Sequence, residues 1–353
     1  MCFRNADLEQ RANFDLNSKP TTIVPGAGVA WLSRLLVFIS VPPLLASVAS
    51  FFGQHFFLSE LLVNYQFQLA VILFVIALLS FGSGIRRWAT VLVFASIGVC
   101  IPLALALAPA ENPTAGSRTI KLMSFNVYVD NVTKAEAVEC IKQHDPDIVL
   151  VVEYANTWKN HVSDLFEAYP FRVDELRWHG FGIILLSKFE LSDTQVFQST
   201  SEASDVPVIV ATVNAGGQHM KFFGVHLLAP MDPMRMEIRN RQLVEVADLV
   251  GDSSSQPTIL AGDFNCVAWS SYMQQMLKRT GLRDSRRGIG YHASWPTDAI
   301  HMRIPIDHVF VSDQIHVKSR RLLGQTGSDH FPVLMEFSIN QAAGAKHDQP
   351  ETQ

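Results

Sequence analysis

The sequence predicts a layered α/β domain of roughly 220 residues, preceded by three membrane-spanning helices. Two observations indicate this fold class. Of the 353 residues, 48% are hydrophobic and only 17% are charged, and the apolar excess is concentrated between residues 31 and 108. Beyond residue 118, short apolar runs typical of strands alternate with segments of helical periodicity. We therefore expect a helical membrane region followed by one α/β unit.

Three apolar segments are long enough to cross a hydrocarbon core, which needs about 20 residues. They are approximately Trp31–Phe52, Leu61–Phe81 and Trp88–Ala108. The charged residues between positions 31 and 108 are Arg34, Glu60, Arg86 and Arg87. Pro42 and Pro43 would kink the first helix, which membrane helices tolerate when neighbours satisfy the freed backbone groups. The segment lengths disfavour buried core helices, and a cleavable signal peptide would be shorter and single.

The distribution of Lys and Arg predicts the orientation of these helices. Basic residues precede the first span and separate the second from the third, whereas the loop from Gly53 to Glu60 has none. This pattern places the N-terminus inside and everything after Ala108 outside. In a bacterium, the chain would be a multi-pass protein of the cytoplasmic (inner) membrane with an extracytoplasmic α/β domain.

The chain accordingly divides into five parts. We expect a cytoplasmic N-terminal tail at 1–28, a three-helix anchor at 29–108, a linker at 109–118, the α/β domain at 119–340 and a disordered tail at 341–353. The linker is small, polar and proline-containing, as "APAENPTAGSRT" shows.

Within the α/β domain, strands and helices are predicted from periodicity and length. The expected strands are "IKLMSFNVYV", "DIVLVVE", "GIILLS", "VPVIVATV", "MKFFGVHL", "PTILAGDFN", "DHVFVS" and "PVLMEFSI". The expected helices are "TKAEAVECIKQH", residues 158–168, "RMEIRNRQLVEVADLV" and "SSYMQQMLKRT".

Charge and cysteine content narrow the function classes. Residues 119–353 carry 28 acidic and 21 basic residues, a net charge of −7. Proteins that hold nucleic acid through many phosphates normally have a basic surface, so this balance disfavours a nucleic-acid partner without excluding one. A Cys140–Cys266 disulfide is an alternative to two free thiols, and we favour the free thiols.

Polar residues recur at the ends of the predicted apolar strands. They are Asn126, Glu153, His226, Asp263, Asn265, Asp307, Asp329 and His330. Taken singly, each has a structural explanation: Asn126 as a turn residue, His226 as a satisfied strand-end histidine, the aspartates as surface turns. So many coincidences at strand ends are much less expected than any one of them. If the ends converge, they form a pocket of oxygen ligands with two imidazoles.

The segments "SFNVY", "DIVLVVE", "GVHLLAP", "LAGDFN", "PIDHVFVS" and "GSDHFPV" resemble, in this order, the motifs of the endonuclease/exonuclease/phosphatase superfamily. This superfamily includes DNase I-like nucleases, inositol-polyphosphate phosphatases and neutral sphingomyelinases. The resemblance covers roughly residues 119 to 339, and six motifs in order are far more specific than "GDFN" or "SDH" alone. The three apolar segments resemble the anchor of a bacterial subset linked to glycopeptide-antibiotic resistance and to polyprenyl diphosphates.

The resemblance implies a four-layer α-β-β-α sandwich and a role for each strand-end residue. Glu153 and Asn126 resemble metal-site residues, and Asp329 would sit beside the metal. His226 resembles a phosphate-contacting histidine, and Asp263 and Asn265 resemble the pair that orients the attacking water. Asp307 resembles the acid that orients the catalytic imidazole, which His330 resembles. The implied cofactor is Mg²⁺, with Mn²⁺ as an alternative.

Three functional hypotheses follow. The first is a membrane-anchored, metal-dependent hydrolase that cleaves phosphoester or phosphoanhydride bonds of a lipid-linked or small phosphorylated substrate outside the cytoplasm. The second is an extracytoplasmic nuclease, which the acidic domain disfavours. The third is a catalytically silent binding module, which the retention of every motif residue disfavours.

Overall fold

A computed structural model describes residues 27–116, 118–199 and 206–340. The two predicted tails, 1–28 and 341–353, therefore lie outside the described residues, apart from positions 27 and 28. The α-helices are α1 Ala27–Ala49, α2 Phe57–Asn64, α3 Gln66–Gly82, α4 Arg86–Leu107, α5 Lys134–His144, α6 Lys159–Ser163, α7 Pro233–Val250 and α8 Ser271–Thr280. The strands are β1 Ile120–Asn126, β2 Ile148–Val152, β3 Phe171–Glu175, β4 Ile183–Ser187, β5 Glu190–Gln198, β6 Pro207–Asn214, β7 His219–His226, β8 Thr258–Asp263, β9 Arg283–Asp284, β10 Asp307–Val311, β11 Ile315–Leu322 and β12 Val333–Ile339.

The strands form two six-stranded mixed sheets that pack face to face. Their orders are β11-β12-β1-β2-β4-β3 and β5-β6-β7-β8-β10-β9. A shared core fills the space between them, with Leu122 and Leu150 from one sheet meeting Ile209, Phe222 and Val309 from the other. Helices α5 and α6 cover one outer face, and α7 and α8 cover the other. This is the two-sheet α/β fold of DNase I-like proteins that the motifs imply.

The strands that carry the site were predictable because they are buried on both faces. Every residue of β2, β4, β8 and β10 is buried, which explains their continuous apolar runs. The polar, mostly exposed strand β5 gave no such signal. The helix predicted for 158–168 is wrong in length: α6 ends at Ser163, and the chain then turns so that Leu165 and Tyr169 enter the core.

Two of the helices before the domain are long and apolar enough to cross a membrane, at Trp31–Phe52 and Arg86–Leu107. The continuous second span predicted at Leu61–Phe81 is wrong. The chain breaks there into α2 and α3, which are bent by 73° and pass the same test only as a pair. Polar groups at the break have partners elsewhere: Asn64 accepts from the backbone of Val267, and Gln66 donates to Ser50.

Helix α2, the start of α3 and the end of α4 all lie against the α/β domain. Val63 and Leu103 pack with Val267, Trp269 and Ile306 in one apolar cluster. The structure therefore puts the segment between α1 and α3 on the same side of the helices as the domain. The Lys and Arg distribution predicts the same relative placement.

The predicted linker lies along strand β11. The carboxamide of Asn112 donates to the Val317 carbonyl at 2.8 Å and accepts from the Val317 N–H at 3.2 Å. His316 Nδ1 lies 2.5 Å from the Pro113 carbonyl, and the Gly116 N–H donates to Ser338 Oγ. This segment is thus held to the sheet over most of its described length.

The cysteines of the described residues are free thiols. Cys140 faces the core from α5, whereas Cys266 packs on the opposite outer face beneath α7 and α8, so no disulfide joins them. Burial raises the pKa of the Cys266 thiol to about 11, which keeps it protonated at neutral pH and agrees with a packing role.

Candidate active site

The sheet topology brings all eight predicted site residues to one end of the sandwich. Parallel strands β7 and β8 end side by side, with His226 opposite Asp263. Antiparallel β10 begins at the same level, with Asp307 opposite Asp263. In the other sheet, β1 and β2 end together, and Glu153 follows β2 directly. Strand β12 starts beside the end of β1, just after Asp329 and His330.

His330 and Asp307 form a buried pair. His330 Nδ1 donates to Asp307 Oδ2 at 2.8 Å, and both residues are almost fully buried. The other ring nitrogen, Nε2, lies 3.7 Å from Asp263 Oδ2. Ser294 Oγ accepts from the Asp307 N–H, and Arg320 donates to the Asp307 carbonyl. Asp307 thus fixes the orientation of the imidazole and leaves its Nε2 directed at Asp263.

The electrostatics of this pair favour a charged imidazole. Burial opposes the charge on His330, but Asp307 and then Asp263 and Asp329 outweigh it and raise its pKa to about 10. Burial also opposes ionisation of Asp307, yet the charge of His330 holds the pKa of Asp307 below its usual range. Burial, followed by the charge of Asp307, raises the pKa of Asp263 to about 8. The site therefore pairs a cationic imidazole with a carboxyl group whose pKa lies slightly above neutral pH.

Asn126 connects the two sheets at the site. Its Nδ2 donates to Glu153 Oε1 at 3.0 Å and to Asp263 Oδ2 at 3.1 Å, and it lies 3.4 Å from His330 Nε2. Its Oδ1 accepts from the Tyr128 N–H at 3.0 Å. One lone pair of that oxygen is thus occupied, and the side chain serves first as a donor that aligns two carboxylates.

Glu153 and Asp329 offer oxygen ligands that fit a divalent cation. Glu153 Oε2 accepts from the Val129 N–H at 2.7 Å, and Glu153 itself has a left-handed backbone with φ 62°. Asp329 Oδ2 accepts from Trp295 Nε1 at 3.0 Å, whereas its buried Oδ1 has no hydrogen-bond partner among the described residues. A buried carboxylate oxygen without a partner is costly unless a cation balances it. Oxygen ligands of this kind suit Mg²⁺ or Mn²⁺.

A second group of potential ligands consists of Asp263, Asp307 and His330, whose ligand atoms lie within 4.8 Å of one another. Here Asp307 and His330 already share a 2.8 Å hydrogen bond, which a cation between them would have to replace. A cation held by Glu153 and Asp329 would leave this hydrogen bond in place.

Asn265 and His226 flank Asp263. The Asn265 N–H donates to Asp263 Oδ1 at 2.8 Å, and its side-chain amide donates to the Leu227 carbonyl at 2.8 Å. His226 Nε2 lies 3.8 Å from Asp263 Oδ2, and Phe181 packs on the His226 ring. Burial lowers the pKa of His226, which favours its neutral form.

In the segment "GSDHFPV", the side chains of Asp329 and His330 have different hydrogen-bond partners. Asp329 bonds to Trp295, whereas His330 bonds to Asp307, and the two side chains approach only to 4.0 Å. Ser328 stabilises the turn by donating to the Asn126 carbonyl and accepting from the His330 N–H. Arg303 lies over the Phe331 ring, 4.7 Å from its centroid. These neighbours in sequence therefore have separate partners.

Residues 123–330 match the Endonuclease/Exonuclease/phosphatase family. The chain belongs to this family. Its members are hydrolases that act on phosphoester bonds. No curated protein matches the sequence.

Solved structures share the family fold at low sequence identity. An endonuclease/exonuclease/phosphatase from Beutenbergia cavernae is 19% identical with a TM-score of 0.54, over 64% of this chain and 72% of that one. D. rerio TDP2 complexed with a single-strand DNA product is 16% identical with a TM-score of 0.54, over 63% and 100%. The human Nocturnin catalytic domain with bound sulfate is 18% identical with a TM-score of 0.51, over 63% and 95%.

Sequence reasoning missed several residues that support this family site. Trp295, Ser294 and Ser328 hold Asp329, Asp307 and Asn126 respectively, and isolated serines and tryptophans carry no motif signal. The segment "RNRQ", residues 239–242, is compatible from its sequence with either a face toward the site or a solvated surface. Arg239, Arg286 and Arg320 are all buried; Arg239 donates to the Asn265 carbonyl, and Arg320 donates to the Asp307 carbonyl.

The buried His308 next to this site predicts acid sensitivity. Burial, and then the charge of Arg286, lowers the pKa of His308 to about 3, so the folded protein leaves it neutral. Below a pH of about 6.5, the unfolded chain binds a proton that the folded chain does not, and stability falls as pH drops toward 3. His308→Gln keeps a donor for the Cys266 carbonyl without titrating. Between pH 7 and 5, we expect the free energy of unfolding to fall by about 2 kcal/mol more in the wild type than in this variant. An equal change in the free energy of unfolding of the wild type and of His308→Gln between pH 7 and 5 would contradict the prediction.

Proposed function

We propose that the chain is a membrane-anchored, metal-dependent phosphohydrolase that cleaves a phosphoester or phosphoanhydride bond of a lipid-linked substrate outside the cytoplasm. The observation that carries this proposal is the buried His330–Asp307 pair, set beside Asp263 and the Asn126–Glu153 contact. These groups supply proton transfer, charge and donors at one point, as hydrolysis of a phosphate ester requires.

Different residues of the site perform the separate steps of this hydrolysis. In its ionised form, Asp263 accepts a proton from the attacking water, and Asn265 holds the Asp263 carboxylate through its backbone N–H. Asp307 keeps His330 protonated, so that His330 Nε2 donates to a phosphoryl oxygen as negative charge develops there. His226 contacts the phosphate from the other side of Asp263 and assists the leaving group.

Glu153, Asn126 and Asp329 would hold the divalent cation, Mg²⁺ or alternatively Mn²⁺. When bound, such an ion supplies positive charge that neutralises the phosphoryl oxygens. The chain's contribution is to keep these oxygens in place through the Val129 N–H and Trp295 Nε1.

The position of the site relative to the apolar helices supports a lipid-linked substrate. Gln68, near the start of α3, donates to the Arg303 carbonyl, four residues before Asp307. Loops that lead to the site expose large apolar side chains: Ile300 is 75% exposed and Trp178 is 89% exposed. Trp178 lies two residues before Gly180, whose backbone approaches the Glu153 carboxylate. The apolar tail of a lipid-linked substrate would contact these side chains while the phosphate group of the same molecule enters the site.

The distribution of Lys and Arg supports an orientation with the domain outside the cytoplasm. In a bacterium, this corresponds to a multi-pass protein of the inner membrane. Anchoring confines enzyme and lipid substrate to one surface and so raises their effective concentration.

The second candidate is a nuclease, favoured by the structural likeness to D. rerio TDP2 complexed with a single-strand DNA product. The net charge of −7 for residues 119–353 weighs against it. Burial of Arg239, Arg286 and Arg320 weighs against it further, because these cations cannot reach a phosphate backbone at the surface. A silent binding module is disfavoured because the structure gathers every strand-end residue at one point.

Phosphate or product release by the purified full chain in detergent tests these alternatives. The panel contains a polyprenyl diphosphate, a sugar phosphate, single-stranded DNA and plasmid, each with Mg²⁺ or with EDTA. We expect the lipid diphosphate to have a kcat/KM at least about 10-fold above the others, since two buried methylene groups already provide that factor. EDTA should abolish the activity. Preferential DNA cleavage would support the nuclease, and no activity on any substrate would support the binding module.

A further inference from the structure

We propose that Glu60, from the segment before the family domain, is a positioning residue for the active site and acts through Arg239 on Asn265. This inference rests on the proposed function only for its activity readout. Glu60 lies in α2, outside the residues that match the family, whereas Arg239 and Asn265 lie within them.

The contact between Glu60 and Arg239 is a buried ion pair. Arg239 Nη2 lies 2.6 Å from Glu60 Oε1, and the two residues are 0% and 2% exposed. Arg239 Nε also donates to Asn240 Oδ1 at 2.9 Å. Burying an arginine is costly without a carboxylate partner, and this carboxylate comes from α2.

The same guanidinium holds the site loop. Arg239 Nη1 donates to the Asn265 carbonyl at 3.2 Å. Asn265 has φ 51°, a left-handed conformation that a non-glycine residue keeps only when its surroundings hold it. The Asn265 N–H donates to Asp263, and its side-chain amide donates to the Leu227 carbonyl. The hydrogen bond from Arg239 satisfies the remaining backbone group of Asn265, its carbonyl.

Helix α2 contacts this loop at two more points. Asn64 Oδ1 accepts from the Val267 N–H at 3.3 Å, and Trp269 Nε1 donates to the Val63 carbonyl at 3.1 Å. Helix α2 therefore holds the segment from Asn265 to Trp269 directly through two hydrogen bonds and indirectly through the Glu60–Arg239 ion pair. The N-terminal segment thus forms part of the support of the active site as well as a link to the membrane.

The test compares Glu60→Gln with the wild-type full chain in detergent. We expect kcat to fall by about 10- to 100-fold, because a small displacement of a site residue has effects of this size. KM should stay within about 2-fold, since Glu60 lies away from the substrate. Amide hydrogen exchange in residues 264–270 should accelerate. This last readout needs no substrate, so it tests the coupling even if the proposed activity is absent.

Two further variants separate positioning from stability. Glu60→Leu with Arg239→Met removes the buried pair without leaving an unpaired charge, and should restore Tm toward the wild-type value while kcat stays low. The control is Asp248→Asn, which breaks the exposed Arg279–Asp248 pair between α7 and α8 and should leave kcat and exchange unchanged. Wild-type kcat in the double variant, or unaltered exchange at 264–270 in Glu60→Gln, would overturn the proposal.

Discussion

Replacing His330 with glutamine is expected to lower kcat by about 10²- to 10⁴-fold, the usual contribution of a positioned proton donor. His330 is the residue whose two ring nitrogens face Asp307 and Asp263, at 2.8 and 3.7 Å. Glutamine offers an amide donor to Asp307 but carries no charge, so a phosphoryl oxygen loses its cationic partner. The measurement is steady-state hydrolysis of the preferred substrate at saturating Mg²⁺.

The matched control for this variant is His219→Gln. His219 lies exposed at the opposite end of β7 from His226, and its replacement should leave kcat unchanged. Asp307→Asn should resemble His330→Gln, and the two together should be little worse than either alone because the residues act as one unit. Near-wild-type kcat in His330→Gln, with Tm retained, would refute the proton-handling role.

Replacing Glu153 with glutamine is expected to have a comparably large effect through the metal site. Glu153 uses one oxygen for Asn126 and the other for the Val129 N–H. Glutamine must turn its NH₂ group toward one of these donors, so it loses alignment as well as charge. We expect the half-saturating Mg²⁺ concentration to rise by at least about 10-fold, the effect seen even for groups that merely support a metal ligand.

Glu139→Gln on the exposed face of α5 is the control, because it changes the same charge far from the site. Titration of activity with Mg²⁺, together with calorimetric Mg²⁺ binding, separates weaker binding from slower chemistry. An unchanged Mg²⁺ affinity in Glu153→Gln would remove Glu153 from the metal site. Mn²⁺ should substitute for Mg²⁺ in the wild type, since both ions prefer oxygen ligands.

The sequence predicted the residues of the site because buried strands leave few places for polar groups. Asn126, His226 and Asp263 are the last residues of strands whose preceding side chains are mostly apolar, so each lies where its strand leaves the core. The parallel pairing of β7 with β8 and of β1 with β2 then brings those edges together. Strand-end positions suggested a common pocket, and the resemblance to the ordered family motifs indicated which residues form it.

Contacts between residues far apart in the chain could not be predicted from the sequence. Nothing in "RNRQ" distinguishes Arg239, which is buried, from Arg241, which is exposed, because its partner Glu60 is 179 positions away. The bend between α2 and α3 at Tyr65 could not be predicted for a similar reason. The apolar run through residues 61–81 predicts one helix, and only the partners of Asn64 and Gln66 explain the bend.

The attachment of residues 112–116 to β11 has a practical consequence for solubility. β11 is the outermost strand of its sheet, and a free outer strand invites pairing with other chains. The Asn112 carboxamide occupies the Val317 N–H and carbonyl much as a neighbouring strand would. A truncated chain that begins at residue 119 would lose this cover, and we expect it to aggregate more readily than one that begins at residue 109.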